Sequence, residues 1–180
     1  MTGMVEFHIA RLTAQSKTDP KNPSGGKPEI SIEDIQAARG CLNWFEDVAL
    51  MARTAQDRIS SENLLGVAQA ISTHEWRQYE KNYRTKITNE RLDKIAQAAV
   101  LTFLSPFENP KAMVDQQVKR DDSWAAKWVG TTDQVWARDF RQHFGVVLGK
   151  ILDHYISGHR KMRYFLSRKS SSEAQALDAA

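Results

Sequence analysis

Residues 131–169 have the sequence TTDQVWARDFRQHFGVVLGKILDHYISGHRKMRYFLSRK, and we expect the rest of the chain to be organised around them. Thr131 and Gln134 have the spacing of a capping box, in which the threonine oxygen accepts the Gln134 backbone N–H and the glutamine side chain reaches back. Large apolar residues then recur at three- and four-residue steps, which predicts a long amphipathic helix. These residues are Trp136, Phe140, Phe144, Val147, Ile151 and Tyr155.

The character of this helix changes after Ser157-Gly158, where the chain becomes basic and aromatic. Residues 150–169 contain six Lys and Arg residues against Asp153 as their single acidic residue. Cations of this kind neutralise phosphates and release counterions, while Tyr and Phe rings can stack on bases. The simpler structural explanation is a solvated helix end whose cations favour the negative end of the helix dipole. The junction between the apolar face and the basic end is the strongest functional signal in the sequence.

The composition is that of one ordinary globular domain. The chain has 180 residues, of which 41% are hydrophobic and 26% charged, with a formal net charge of +3. These values argue against wholesale disorder, and the small positive excess gives weak support to nucleic-acid binding. The single cysteine, Cys41, excludes an internal disulfide and a cysteine-rich zinc site. No apolar run approaches the ~20 residues of a membrane span, and no secretory apolar segment is visible, so we expect no membrane association and a cytoplasmic location.

These patterns predict an all-α fold, a single helical domain of five or six helices with a long C-terminal helix and a basic end. Residues 1–28 include linker-like Pro and Gly and are expected to form a flexible N-terminal arm. Residues 29–169 form the predicted helical domain. Residues 170–180 are small and polar and are expected to be a disordered tail.

Two further expectations concern the core. The first helix is expected to start at Ser31 and to continue through Gly40, with Cys41 on its buried face. A later helix is apolar nearly all round at residues 98–104, which is typical of a central, buried helix. Val100, Leu101 and Phe103 on this helix are expected to be buried together.

The histidines do not form a pattern typical of catalysis or metal binding. His74, His143, His154 and His159 are scattered over predicted helices without the HxxxH or ExxH spacing of zinc and di-iron bundles. The sequence contains no GxSxG motif, glycine-rich phosphate loop or dinucleotide-binding fingerprint. We therefore predict a non-enzymatic protein with no metal site and no cofactor.

Two basic, aromatic segments supply candidate nucleic-acid-binding residues. One is the end of the long helix, and the other follows Tyr79. Their cations are placed among aromatic residues, as in many surfaces that contact phosphates and bases. The candidates are Arg160, Lys161, Arg163, Arg168 and Lys169 in the first segment and Lys81, Arg84 and Lys86 in the second.

A protein-interaction module or small inhibitor is the alternative function. It would use the Trp-rich region around Trp124, Trp128 and Trp136, because tryptophan is enriched at binding hot spots, although it also fills cores. Gly145 and Gly149 have the small-xxx-small spacing that lets helices approach closely. Packing within the chain is the usual outcome of this spacing, and a homodimer seam is the other one.

A resemblance to a known family adds to this interpretation. Residues 82–88 (NYRTKIT), Leu92 and Ile95-Ala96, with residues 136–140 (WARDF) far downstream, resemble small phage-encoded transcription regulators of the late-gene antitermination type. That family binds DNA and RNA polymerase, so the resemblance implies a regulatory or accessory protein that contacts nucleic acid or a nucleic-acid machine. Many of its members carry a zinc knuckle, whereas Cys41 stands alone here. No helix-turn-helix with its turn glycine is visible, so sequence-specific reading of the major groove is not expected.

Overall fold

The computed structural model describes residues 30–54, 58–82, 86–105 and 123–178, with side chains as far as Arg168, and the statements below refer to this part of the chain. Its regular structure is helical, and no strand occurs among these residues, so the predicted all-α class is confirmed. The predicted arm at residues 1–28 and the candidate residue Arg84 lie outside the described residues.

Six helices follow one another along the described chain. We number them α1 (Ile32–Gly40), α2 (Trp44–Thr54), α3 (Arg58–Tyr79), α4 (Asn89–Leu104), α5 (Ser123–Val129) and α6. A 3-10 turn, Glu80–Asn82, extends the end of α3. Helix α6 comprises three consecutive segments: Asp133–Val135, a π-helical turn at Trp136–Phe140, and Arg141–Asp178.

The start of α6 differs by one residue from the sequence prediction. Thr132, not Thr131, is the N-cap, and its hydroxyl accepts the backbone N–H of Val135 at 3.3 Å. Gly130 precedes this cap with φ +73°, a left-handed conformation that glycine adopts without strain. Three residues, 130–132, therefore separate the end of α5 from the beginning of α6.

The far end of α6 extends beyond the predicted boundary at Ser170. The helix passes through Ser157-Gly158 without interruption and continues to Asp178. Once a helix has formed, extending it by one residue fixes the backbone of that residue and adds one hydrogen bond. Small polar residues can therefore prolong an existing helix. The predicted disordered tail is therefore helical as far as Asp178.

The first predicted helix is two helices. Gly40 ends α1, Cys41 and Leu42 form a turn, and α2 begins at Trp44. The new helix starts there because Asn43 and Glu46 form a reciprocal capping box: the Asn43 side chain accepts the Glu46 backbone N–H at 2.9 Å, and the Glu46 carboxylate accepts the Asn43 backbone N–H at 2.9 Å. This turn leaves Cys41 exposed, so the prediction of a buried thiol was wrong.

The core forms where α6 packs against α1, α2, α3 and α4. Helix α4 contributes Ile95, Ala99 and Phe103, each with no exposed surface, as expected for a central helix. Leu101, however, keeps 46% of its surface exposed, because one side of α4 faces away from the other helices. The prediction that Leu101 is buried with Val100 and Phe103 was wrong for this one residue.

Helices α2 and α6 approach each other closely at Gly158. A methyl group added there would lie 3.2 Å from both the Cβ and the carbonyl oxygen of Glu46 on α2. At Gly145 and Gly149 an added methyl group would meet nothing within 4 Å. The small-residue spacing at Gly145 and Gly149 therefore does not mark close packing within the described chain.

Candidate nucleic-acid interface on the last helix

The basic end of α6 is docked on the rest of the protein. Met162 and Leu166 are fully buried in the common core, which fixes the rotation of this part of the helix. Arg160, Arg163, Tyr164 and Arg168 lie at positions i, i+3, i+4 and i+8, and all four are exposed. We call these four residues the basic stripe. Because the burial of Met162 and Leu166 sets the rotation of the helix, the basic stripe faces solvent from a helix backbone that is held in place.

The cations of the basic stripe are available to an anionic ligand. Arg160 and Arg163 form no ion pair with any carboxylate in the described part of the chain. Arg168 lies over the ring of Tyr164, with its guanidinium carbon 5.6 Å from the ring centroid, and it hydrogen-bonds the Tyr164 hydroxyl at 3.3 Å. Tyr164 is itself 62% exposed. These contacts orient Arg168 without neutralising its charge.

Lys161 has a different role from the arginines beside it. Its ammonium group donates to the carboxylate of Glu46 on α2 at 2.8 Å. The other oxygen of that carboxylate accepts a hydrogen bond from the Ser157 hydroxyl at 2.6 Å. Although Lys161 was predicted to contact nucleic acid, its charge is used to pair a buried carboxylate, so we assign it to the fold.

The environment of Glu46 favours its ionised form. Burial raises the pKa of this carboxyl, but the hydrogen bonds from Lys161, Ser157 and the Asn43 backbone together outweigh burial and hold the pKa below its usual value. Glu46 is 3% exposed, so the loss of any of these donors would leave part of a buried charge without compensation. These hydrogen bonds fix the start of α2 against α6 next to Arg160, the first residue of the basic stripe.

The second basic segment lies at the opposite end of α6. The ring of Trp76 on α3 is 6.0 Å from that of Phe140 and 5.2 Å from that of His143, so the end of α3 meets the beginning of α6. Lys81 and Lys86 follow shortly after and are exposed. Arg160 is twenty residues beyond Phe140, about 30 Å along a helix. The two predicted segments therefore do not form one surface.

The side chain of Lys169 lies beyond the described side chains, although its backbone continues α6.

Two of the three tryptophans proposed for a protein interface are exposed. Trp124 and Trp128 keep 39% and 48% of their surfaces exposed and lie one turn apart on α5. Trp136 is 1% exposed and packs 5.6 Å from the ring of Phe144. It belongs to the core, which removes it from the predicted Trp-rich surface.

A buried serine–histidine pair connects α3 with α6, and no local sequence pattern predicted it. The Ser72 hydroxyl lies 3.0 Å from His143 Nε2 and 3.2 Å from the carbonyl oxygen of Leu92. Since the Ser72 hydroxyl donates its one proton to the Leu92 carbonyl, we assign His143 the tautomer in which Nε2–H donates to the Ser72 oxygen. Both side chains are essentially inaccessible, at 0% and 1% exposed, so we assign the pair to the core and not to catalysis.

Burial keeps the His143 imidazole neutral. It lowers the pKa of His143 to about 4, while the charge of Glu75 and a hydrogen bond with the Ser72 backbone act in the opposite direction. Glu75 is itself held ionised, because a hydrogen bond from Lys150 at 2.7 Å lowers its pKa more than burial raises it. The buried side chains of Ser72, Glu75 and His143 therefore each have a polar partner.

No group of three or more His, Cys, Asp or Glu side chains in the described ranges is arranged to hold a metal ion. Within the same ranges, no helix combines the length and the apolar character that a membrane crossing requires. Comparison of the chain with models of known families, with curated proteins and with solved structures found no match.

Proposed function

We propose that this chain is a non-enzymatic regulatory or accessory protein that contacts nucleic acid, alone or within a nucleic-acid machine such as RNA polymerase. The observation that supports this proposal is the basic stripe. Arg160 and Arg163 project from a docked helix and form no ion pair among the described residues. Because the helix backbone that carries these arginines is already docked, binding has to order only their side chains, which favours contacts with phosphates.

The expected affinity is modest and strongly dependent on salt. Three arginines that each contact one phosphate of a duplex give a slope of about −2.7 for log affinity against log salt. Between about 50 mM and 200 mM salt the affinity should fall about 40-fold. The small net charge of +3 adds little long-range attraction, so binding should depend on this stripe.

A matched pair of triple variants tests the proposal. Arg160→Ala/Arg163→Ala/Arg168→Ala removes the charges of the stripe, and Arg58→Ala/Arg77→Ala/Lys127→Ala removes the same number of exposed charges from α3 and α5. Binding of labelled mixed-sequence duplex and single-stranded DNA would be measured by fluorescence anisotropy at both salt concentrations. Lys161 is left intact, because its removal would disturb the buried Glu46.

The stripe variant should lose most binding and flatten the salt dependence, whereas the control variant should bind like the parent. Circular dichroism and thermal unfolding would confirm that both variants fold, since arginine stems also cover apolar surface. Equal binding by the parent and the stripe variant, or no binding by the parent at the lower salt concentration, would rule out the basic stripe as a nucleic-acid site.

A protein-interaction module remains the second candidate because Trp124 and Trp128 are both exposed on one short helix. Apolar docking through these rings should be insensitive to salt, unlike phosphate contact. A partner complex that survives high salt and is lost in Trp124→Ala/Trp128→Ala, but not in the stripe variant, would support this second function.

A further inference from the structure

Two aromatic rings are exposed at the start of α2. Trp44 keeps 58% of its surface exposed and Phe45 keeps 42%. Their ring centroids are 5.2 Å apart in an edge-to-face arrangement. Phe45 also stacks on the half-buried ring of His154 on α6, with centroids 5.3 Å apart and planes inclined by 19°. The three rings form a rigid aromatic cluster of which Trp44 is the outermost member.

This aromatic cluster lies beside the basic stripe. Glu46, the next residue after Phe45, is bound to Ser157 and Lys161 on α6, so the start of α2 is fixed between His154 and Lys161. Arg160 precedes Lys161 directly. Helical rise separates His154 from Arg168 by about 21 Å along α6, with Arg160 between them. The arginines therefore lie on the same stretch of about four turns of α6 on which the start of α2, with its exposed rings, is packed.

The combination of exposed aromatic rings and arginines favours single-stranded over double-stranded nucleic acid. In a duplex the base faces are covered by their neighbours, so only phosphates and groove edges are available to a protein. In a single strand the base faces are free, and they stack on aromatic side chains while cations bind the backbone. An exposed tryptophan alone is unremarkable, but one held next to arginines without carboxylate partners supplies both contacts at once.

We propose that the aromatic cluster and the basic stripe together bind single-stranded nucleic acid. A base stacks on Trp44, and the phosphates that follow contact Arg160, Arg163 and Arg168. This inference rests on the proposed function, since it names the class of nucleic acid that the same stripe recognises. Asp153, which directly precedes His154 on α6 and is exposed, opposes binding by repelling the backbone.

The test compares single-stranded with double-stranded ligands on the full chain. Labelled oligo(dT), oligo(U) and a mixed-sequence duplex, each of about 16 nucleotides or base pairs, would be titrated with the parent, Trp44→Ala, Trp128→Ala and Asp153→Asn. Trp128 is the matched control, because it is a comparably exposed tryptophan on a different helix. Oligo(dT) and oligo(U) show whether DNA and RNA strands are bound alike.

We expect the parent to bind single strands at least tenfold more tightly than the duplex. Trp44→Ala should weaken single-strand binding about 5- to 150-fold and leave duplex binding unchanged, as expected for the loss of one stacked base. Trp128→Ala should have no effect, and Asp153→Asn should tighten binding of both ligands.

Three results would overturn the inference: equal affinity of the parent for single strands and duplex, normal single-strand binding by Trp44→Ala, or an equal loss in Trp128→Ala. If the stripe variant still loses binding in any of these cases, the proposed function stands and only the preference for single strands is wrong. If the parent binds none of the three ligands, both proposals are wrong.

Discussion

The buried Ser72–His143 pair should make the stability of this protein depend on pH in a range where most core residues do not titrate. Burial lowers the pKa of His143 from 6.5 to about 4, so the folded protein keeps this imidazole neutral where the unfolded chain protonates it. The unfolded state therefore binds more protons between about pH 6.5 and pH 4. As a result, the free energy of unfolding falls as the pH is lowered through this range.

The size of the effect follows from the shift in the pKa of His143. The full difference between 6.5 and about 4 corresponds to about 3 kcal/mol. Between about pH 7 and pH 5 it contributes about 2 kcal/mol. The carboxyls of Glu46 and Glu75 also have lowered pKa values, but the stability that they contribute is lost mainly below their ordinary value of 4.5. Measurements above pH 5 therefore separate the effect of His143 from that of these two carboxyls.

Urea unfolding at a series of pH values, for the parent, His143→Gln and His154→Gln, would measure this effect. Glutamine at position 143 can still donate to the Ser72 hydroxyl but cannot titrate. His154 is half-buried against Phe45 near the surface and serves as the control. We expect the free energy of unfolding of His143→Gln to vary about 2 kcal/mol less between pH 7 and pH 5 than that of the parent. Equal pH dependence of the parent and His143→Gln would refute the assignment of a neutral, buried imidazole.

Three further predictions concern stability and use the same urea assay at neutral pH. Gly158→Val should lower the free energy of unfolding by about 1–3 kcal/mol, because the valine side chain would press on Glu46. Gly149→Ala should instead raise it by about 0.5–1 kcal/mol, because alanine favours the helix and meets nothing within 4 Å. Equal effects of the two variants would contradict the packing described at Gly158. Lys161→Met should cost about 1–3 kcal/mol, since it leaves the Glu46 carboxylate short of a donor, and an unchanged midpoint would show that the ion pair contributes nothing. Phe103→Ala should cost about 3–5 kcal/mol, and unchanged melting of this variant would show that α4 is not the central helix.

The sequence predicted the helical class and the long last helix because apolar residues at a 3.6-residue period carry that information locally. It did not predict the break between α1 and α2. Asn43 and Glu46 have the spacing of a capping box, but the apolar residues around them continue across the turn and suggest one helix. The interruption turns Trp44 and Phe45 towards solvent, although an uninterrupted helix would place Phe45 on its buried face.

The candidate site was predicted in part for a similar reason. Exposure of Arg160 and Arg163 follows from the apolar period of Met162 and Leu166 on the same helix. The pairing of Lys161 with Glu46 could not be predicted, because it joins residues 115 positions apart on different helices. The same holds for Ser72 and His143, 71 positions apart, which no short motif connects.

The long reach of the Glu46–Lys161 contact affects how the chain assembles during its synthesis. At about 5–20 residues per second, Lys161 is added some 6–23 s after Glu46. Throughout that interval α2 and α3 can pair with each other, but the surface that α2 presents to α6 has no partner. The nascent chain therefore exposes apolar side chains of α2 until the last helix is made. Slower translation of residues 141–161 would lengthen this exposure and increase the opportunity for chaperone binding or aggregation.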